Sequence, residues 1–158
     1  MTTFRRTLVL LALMFWLGGF MFYGAVVVPI VRAKLEGMPE RSTITQRVTG
    51  WINLSGTLAV LVMFVDAYAS TVRRNRARWI AWVCMTLPLP VLVWLHSRLS
   101  QQMADPLFYT KSLATFQPWH QAYLILNSLQ WLAAVIFTVL TVRAWRLEDR
   151  TSSQDLAK

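Results

Sequence analysis

Four long apolar runs, separated by short polar segments rich in arginine, constrain this chain more than any other feature. The first occupies residues 7–31 and contains 25 residues without a charge. A helix of about 20 apolar residues already crosses the hydrocarbon core of a bilayer, so this one crosses with some tilt. The remaining runs occupy residues 48–69, 79–95 and 119–143. Three of the four lack the charged face that a soluble bundle helix turns to water. The pattern therefore predicts an all-α fold, an integral membrane four-helix antiparallel bundle. It forms a single domain over residues 1–150, followed by a flexible tail at 151–158.

Composition agrees. Apolar residues make up 56% of the 158 and charged ones 15%, away from the balance of a soluble domain. The net charge of +9 would suit a nucleic-acid partner only if it formed a soluble basic face with stacking aromatics, and no segment offers one. The basic residues instead fall between the apolar runs, where they orient the chain in the bilayer. The N-terminus, the 70–78 loop and the segment from Arg143 hold ten Lys and Arg, against six in the 32–47 and 96–118 loops. Both termini are thus expected in the cytoplasm, in a bacterial inner membrane. Trp51, Trp94 and Trp119 then mark the outer interface, and Trp79, Trp82 and Trp145 the inner one. The first run is too long for a signal peptide and lacks a small-residue cleavage site, so it reads as an uncleaved helix.

Local features refine this picture. Gly18, Gly19, Gly24 and Ala25 are small enough to admit a neighbouring helix closely. Pro29 is expected to help end the first span. The Leu-Pro-Leu-Pro sequence at 87–90 removes two backbone donors from the third span and predicts a kink, its carbonyls satisfied by neighbouring helices or water. Asp105-Pro106 signals a turn in the longest connection. Cys84, the only cysteine, reads as a small buried apolar residue.

Polar groups concentrate on the last span. His120, Tyr123, Asn127 and Gln130 recur at steps of three, four and three, which places them on one stripe of one helix. Such a stripe must face protein or water, either as interhelical packing or as a small cavity opening outward that binds a solute or a proton. Asn53, in the outer half of the second span, is a candidate partner for Asn127. His96 and His120 end and begin consecutive spans at matched depth. Two imidazoles so placed could ligate a haem iron or share copper or zinc, with Met103 nearby for Cu(I). Asp66 is an intramembrane carboxylate close to the inner end of its span. Arginines of the 73–78 cluster and Arg143 are its candidate partners, and a protonatable coupling site is the functional alternative. No nucleophile elbow, phosphate loop or HExxH helix is present, so no enzymatic activity is expected.

Two stretches resemble a family. Residues 16–30, WLGGFMFYGAVVVPI, pair glycines with aromatics and a late proline. Residues 116–127, FQPWHQAYLILN, space a Phe, a His and an Asn along the last helix. Both are similar to the transmembrane-protein-205-like family of small four-helix membrane proteins. The matching positions are Trp16, Gly18, Gly19, Pro29, Phe116, His120 and Asn127. The resemblance implies four helices and marks His120 and Asn127 for testing, but it implies no defined reaction. The leading expectation is a non-enzymatic membrane subunit, scaffold or stress-response component. Its partners would be the lipid bilayer and other membrane proteins or further copies of the chain. A transporter or binder of a small solute, metal ion or proton, acting at His96, His120 and Asn127, is the alternative. A haem-binding electron carrier is a third.

Overall fold

The computed structural model describes residues 2–34, 38–70, 76–103 and 113–156. Every element among them is helical. The first rod is α1 (Thr2–Phe22), a π-helical turn at Tyr23–Val27, and α2 (Val28–Lys34). Then come α3 (Met38–Ala69), the pair α4 (Arg76–Thr86) and α5 (Pro88–Met103), and α6 (Leu113–Leu156). These make four helical rods, each with a stretch long and apolar enough to cross a membrane. The rods α1–α2 pack on α3, and the broken rod α4–α5 packs between α3 and α6.

The core follows from helical periodicity. On α3 the buried positions Asn53, Gly56, Ala59 with Val60, Met63, and Asp66 with Ala67 recur every three or four residues. On α6 the same spacing runs through Tyr123, Asn127, Gln130, Ala134, Phe137, Thr141, Trp145 and Glu148, all buried. Val9, Leu13 and Trp16 of α1 complete the main apolar cluster with Met63, Met85 and Phe137. The outward faces are apolar too: Phe15 and Met14 of α1, Leu58 and Val65 of α3, Ile80 of α4 and Ile125 of α6 are all exposed.

The two proline-containing interruptions behave differently. Pro29 does not end its helix, which continues to Lys34. Proline cannot donate to the carbonyl four residues back, and its ring crowds that carbonyl. The turn just before it widens into the π form, with the Val28 amide donating to the Tyr23 carbonyl five residues earlier. At 87–90 the helix breaks between Thr86 and Pro88, as the sequence predicts, and both prolines fall in the first turn of α5, where missing donors cost least.

Several helices outrun their apolar runs. Most of the expected 32–47 connection belongs to α3, and the third rod continues past His96 to Met103. The expected flexible tail is helical to Leu156, with Thr151, Ser152 and Ser153 hydroxyls donating to carbonyls four residues back. The turn signal at Asp105-Pro106 and the arginines Arg73 and Arg74 lie outside the described residues.

Small residues also change roles. Gly18, Gly19 and Gly24 have nothing among the described residues within 4 Å of where a Cβ would stand, so no described helix approaches them. The close approach is at Gly56, where an added Cβ would lie 2.6 Å from the Trp16 indole nitrogen. Cys84 is exposed on the outer apolar face, not buried, because the buried stripe of α4 runs through Ala81 and Met85.

Candidate functional site

The polar residues form two clusters at opposite ends of the bundle. The first lies at the end that carries both termini and is a closed ionic network. Asp66 of α3 is 0% exposed and Arg78 of α4 only 2%. Arg78 donates to the Asp66 carboxylate through Nη2 and to Thr141 Oγ1 through Nε at 3.1 Å, while its guanidinium lies 5.3 Å from the Phe137 ring centroid. Arg5 Nε sits 2.8 Å from the other Asp66 oxygen, an ion pair not aligned as a hydrogen bond. The Trp145 indole donates to that same oxygen at 3.4 Å.

Glu148 extends the network. It accepts from the Ser70 hydroxyl, from Arg6 at 3.1 Å and from Arg5 at 3.4 Å. Arg6 also reaches Asp149 at 2.8 Å and the Trp145 carbonyl at 3.3 Å. All four rods are therefore tied at one end by buried or half-buried charge. Arg78 is the partner predicted for Asp66 from the arginine cluster. Arg143, the other candidate, is exposed and makes no ion pair with it among the described residues. Arg5, Thr141 and Glu148 join the network without a motif of their own. Continuing the α6 stripe beyond Gln130 at the same spacing reaches Thr141 and Glu148.

The second cluster lies at the opposite end. Tyr123 donates its hydroxyl to Asn53 Oδ1 at 3.1 Å, so Asn53 pairs with Tyr123 and not with Asn127. Asn127 turns back to donate to the Tyr123 carbonyl at 3.1 Å, a local bond that competes with the contact across the helices. Among the described residues the Asn53 amide nitrogen is buried without a hydrogen-bond partner. Gln130 points the other way and donates to the Met85 carbonyl at 2.9 Å, beside the helix break. The stripe thus divides: its inner member secures the broken rod, and its outer members border a cavity.

That cavity, about 600 Å³, opens between the first and last rods, with α3 as its back wall. Apolar walls come from Phe20, Val28, Ile52, Phe116 and Leu124, and the π turn contributes Tyr23 and Gly24. Polar groups on it are Tyr23, Thr45, Thr49, His120, Tyr123 and Asn127, with Arg32 and Arg41 at the same end. His120 stacks on Phe116 with ring centroids 5.4 Å apart. His96 does not line the cavity; it lies beside Gly50 and 6.5 Å from the Tyr123 ring. A metal or haem held by both histidines would therefore have only one of its ligands on the cavity wall. Among the described residues no three His, Cys, Asp or Glu side chains are grouped to hold a metal ion.

Between the two ends the core is apolar. Ala59, Met63, Met85, Ala134 and Phe137 pack there and separate the cavity from Asp66. Gln130 and Thr141 lie eleven positions apart on α6, about 16 Å of helix. No protein-family model, curated protein or solved structure matches the chain.

Proposed function

We propose that this chain is a four-span integral membrane protein, non-enzymatic, that binds a small ligand in the cavity at the end opposite its termini. Its large outward-facing apolar side chains support the membrane reading. They occur on all four rods, and a surface so apolar is a liability in water and a requirement in lipid. The distribution of Lys and Arg supports a reading in which both termini are cytoplasmic and the cavity faces the outer side of a bacterial inner membrane. The resemblance to the transmembrane-protein-205-like family belongs to the same reading, since Phe116, His120 and Asn127 all line the cavity.

The observation that carries the ligand-binding reading is the cavity itself. It is within the ~300–1,000 Å³ range of ligand pockets and has apolar walls with a few convergent polar groups. A translocation path from His120 to Asp66 fits less well, because the apolar layer around Phe137 lies between them. Asp66 is then structural: both oxygens are held by cations, as an intramembrane carboxylate requires.

Mass spectrometry of the protein released directly from native membranes tests this. One small-molecule adduct per chain is expected on wild type. It should be lost in Thr49→Trp, which fills the back wall, and retained in Leu58→Ala on the outer face. Wild type free of any adduct, under conditions that preserve non-covalent complexes, would return the cavity to a packing defect.

A further inference from the structure

We infer that the ligand of this cavity is a neutral apolar molecule with a hydroxyl donor on an aromatic ring, a phenol or hydroquinone. The inference rests on the ligand-binding reading above and adds the chemistry of the occupant. A backbone carbonyl left without a donor on the cavity wall carries it. Within a helix the Gly24 carbonyl can accept from residue 28 in the α register or from residue 29 in the π register. The Val28 amide donates to Tyr23 instead, and residue 29 is a proline, which has no N–H. Both helical donors are therefore missing. Serine and threonine hydroxyls often relieve such a carbonyl in a membrane helix, but the first rod has none between Thr7 and its end at Lys34. No described side chain donates to Gly24, and the nearby Tyr123 hydroxyl is committed to Asn53. Gly24 lines the cavity, with nothing described within 4 Å of where its Cβ would stand. A backbone acceptor so placed at membrane depth is satisfied by whatever occupies the cavity.

The rest of the lining says what kind of donor fits. No Asp or Glu is among the described lining residues, so an ammonium would enter without a counter-charge. A hydroxyl donates without one, and a phenolic hydroxyl donates more strongly than that of an alkanol. The walls favour the ring. Phe20 and Tyr23 border the cavity from the first rod, and Phe116, His120 and Tyr123 border it from the last. A planar ring between them gains offset or edge-on aromatic contacts that a saturated body lacks.

The test uses the full-length protein in phosphatidylcholine nanodiscs, whose lipid has no hydroxyl donor, with binding to empty discs subtracted. The probes are para-nonylphenol, its methyl ether, which keeps the ring and loses the donor, and para-nonylcyclohexanol, which keeps the donor and loses the ring. The phenol should bind at one per chain, ~10-fold or more tighter than the ether. It should also bind more tightly than the cyclohexanol, and Thr49→Trp should abolish its binding. Pro29→Ala is the decisive variant. It returns an N–H to residue 29, so Gly24 gains a helical donor in either register. Phenol affinity should fall to that of the ether, ether affinity should stay unchanged, and the thermal midpoint in detergent should rise. Equal binding of phenol and ether would mean that water serves the carbonyl, which overturns the donor while the ligand-binding reading survives. A preference for phenol that persists in Pro29→Ala overturns the assignment to Gly24. Equal binding of phenol and cyclohexanol overturns the ring. Absence of saturable binding by every probe removes the phenolic ligand, and the native adduct experiment then decides whether the cavity binds any other.

Discussion

At the scale of single residues the largest energies belong to Asp66 and Arg78. A buried ion pair contributes little net stability against a well-packed apolar replacement, yet removing one partner strands the other charge. Asp66→Asn should cost ~3–5 kcal/mol in reversible unfolding from detergent micelles, and Arg78→Met a similar amount. The double variant should be clearly less damaged than the two losses added together, because neither charge is then left alone. Simple additivity would mean that the two do not interact. Tyr123→Phe is milder: it leaves Asn53 Oδ1 without its donor, and buried hydrogen bonds in a bilayer contribute about 0.5–2 kcal/mol. A Tyr123→Phe variant as stable as wild type would show that water replaces the hydroxyl. Asn53 and Tyr123 were both legible as polar residues at helical spacing. Their pairing was not, because it depends on the rotation of α3 against α6, which periodicity within each helix leaves undetermined.

At the scale of the elements, the tight contact is Trp16 on Gly56, where a methyl group cannot enter without moving the indole. Gly56→Ala should destabilise by about 1–3 kcal/mol, the usual cost of overpacking. Gly18→Ala and Gly19→Ala should not, since both positions are open. The reverse order in thermal denaturation would mean that the first rod packs through its paired glycines after all. The apolar runs themselves were readable because charge is so costly in a span that its absence is conspicuous. Rod ends were less so. The helices at 38–47 and 144–156 are polar, and nothing in a hydropathy pattern distinguishes a polar helical extension from a polar loop. Pro29 departs from expectation for a related reason: a proline marks a disturbed turn, but the chain can absorb it by widening into a π turn instead of stopping. The break at 87–90 was legible because two prolines in one turn remove two donors, more than a widened turn can absorb.

At the scale of the whole molecule, the bundle has one closed end and one open end. Four rods meet in the Asp66–Glu148 network, an apolar layer follows, and the first and last rods then part around the cavity. At 44 residues α6 is about 66 Å long, twice the thickness of a hydrocarbon core, so its C-terminal turns extend well past the ionic end. The cavity was only half legible in advance. His120 and Asn127 pointed to it, whereas Tyr23, Arg32, Thr45 and Thr49 come from rods whose lateral arrangement no local spacing encodes. The central claim is that a ligand reaches this cavity from outside and goes no further. The direct measurement is labelling by a membrane-impermeant maleimide in intact spheroplasts, on single-cysteine variants in a Cys84→Ser background. Thr49→Cys should react from outside, Ser152→Cys only after permeabilisation, and Phe137→Cys under neither condition. Rapid labelling at Phe137→Cys would reveal an aqueous path through the bundle and contradict the account, as would labelling of Thr49→Cys and Ser152→Cys from the same side.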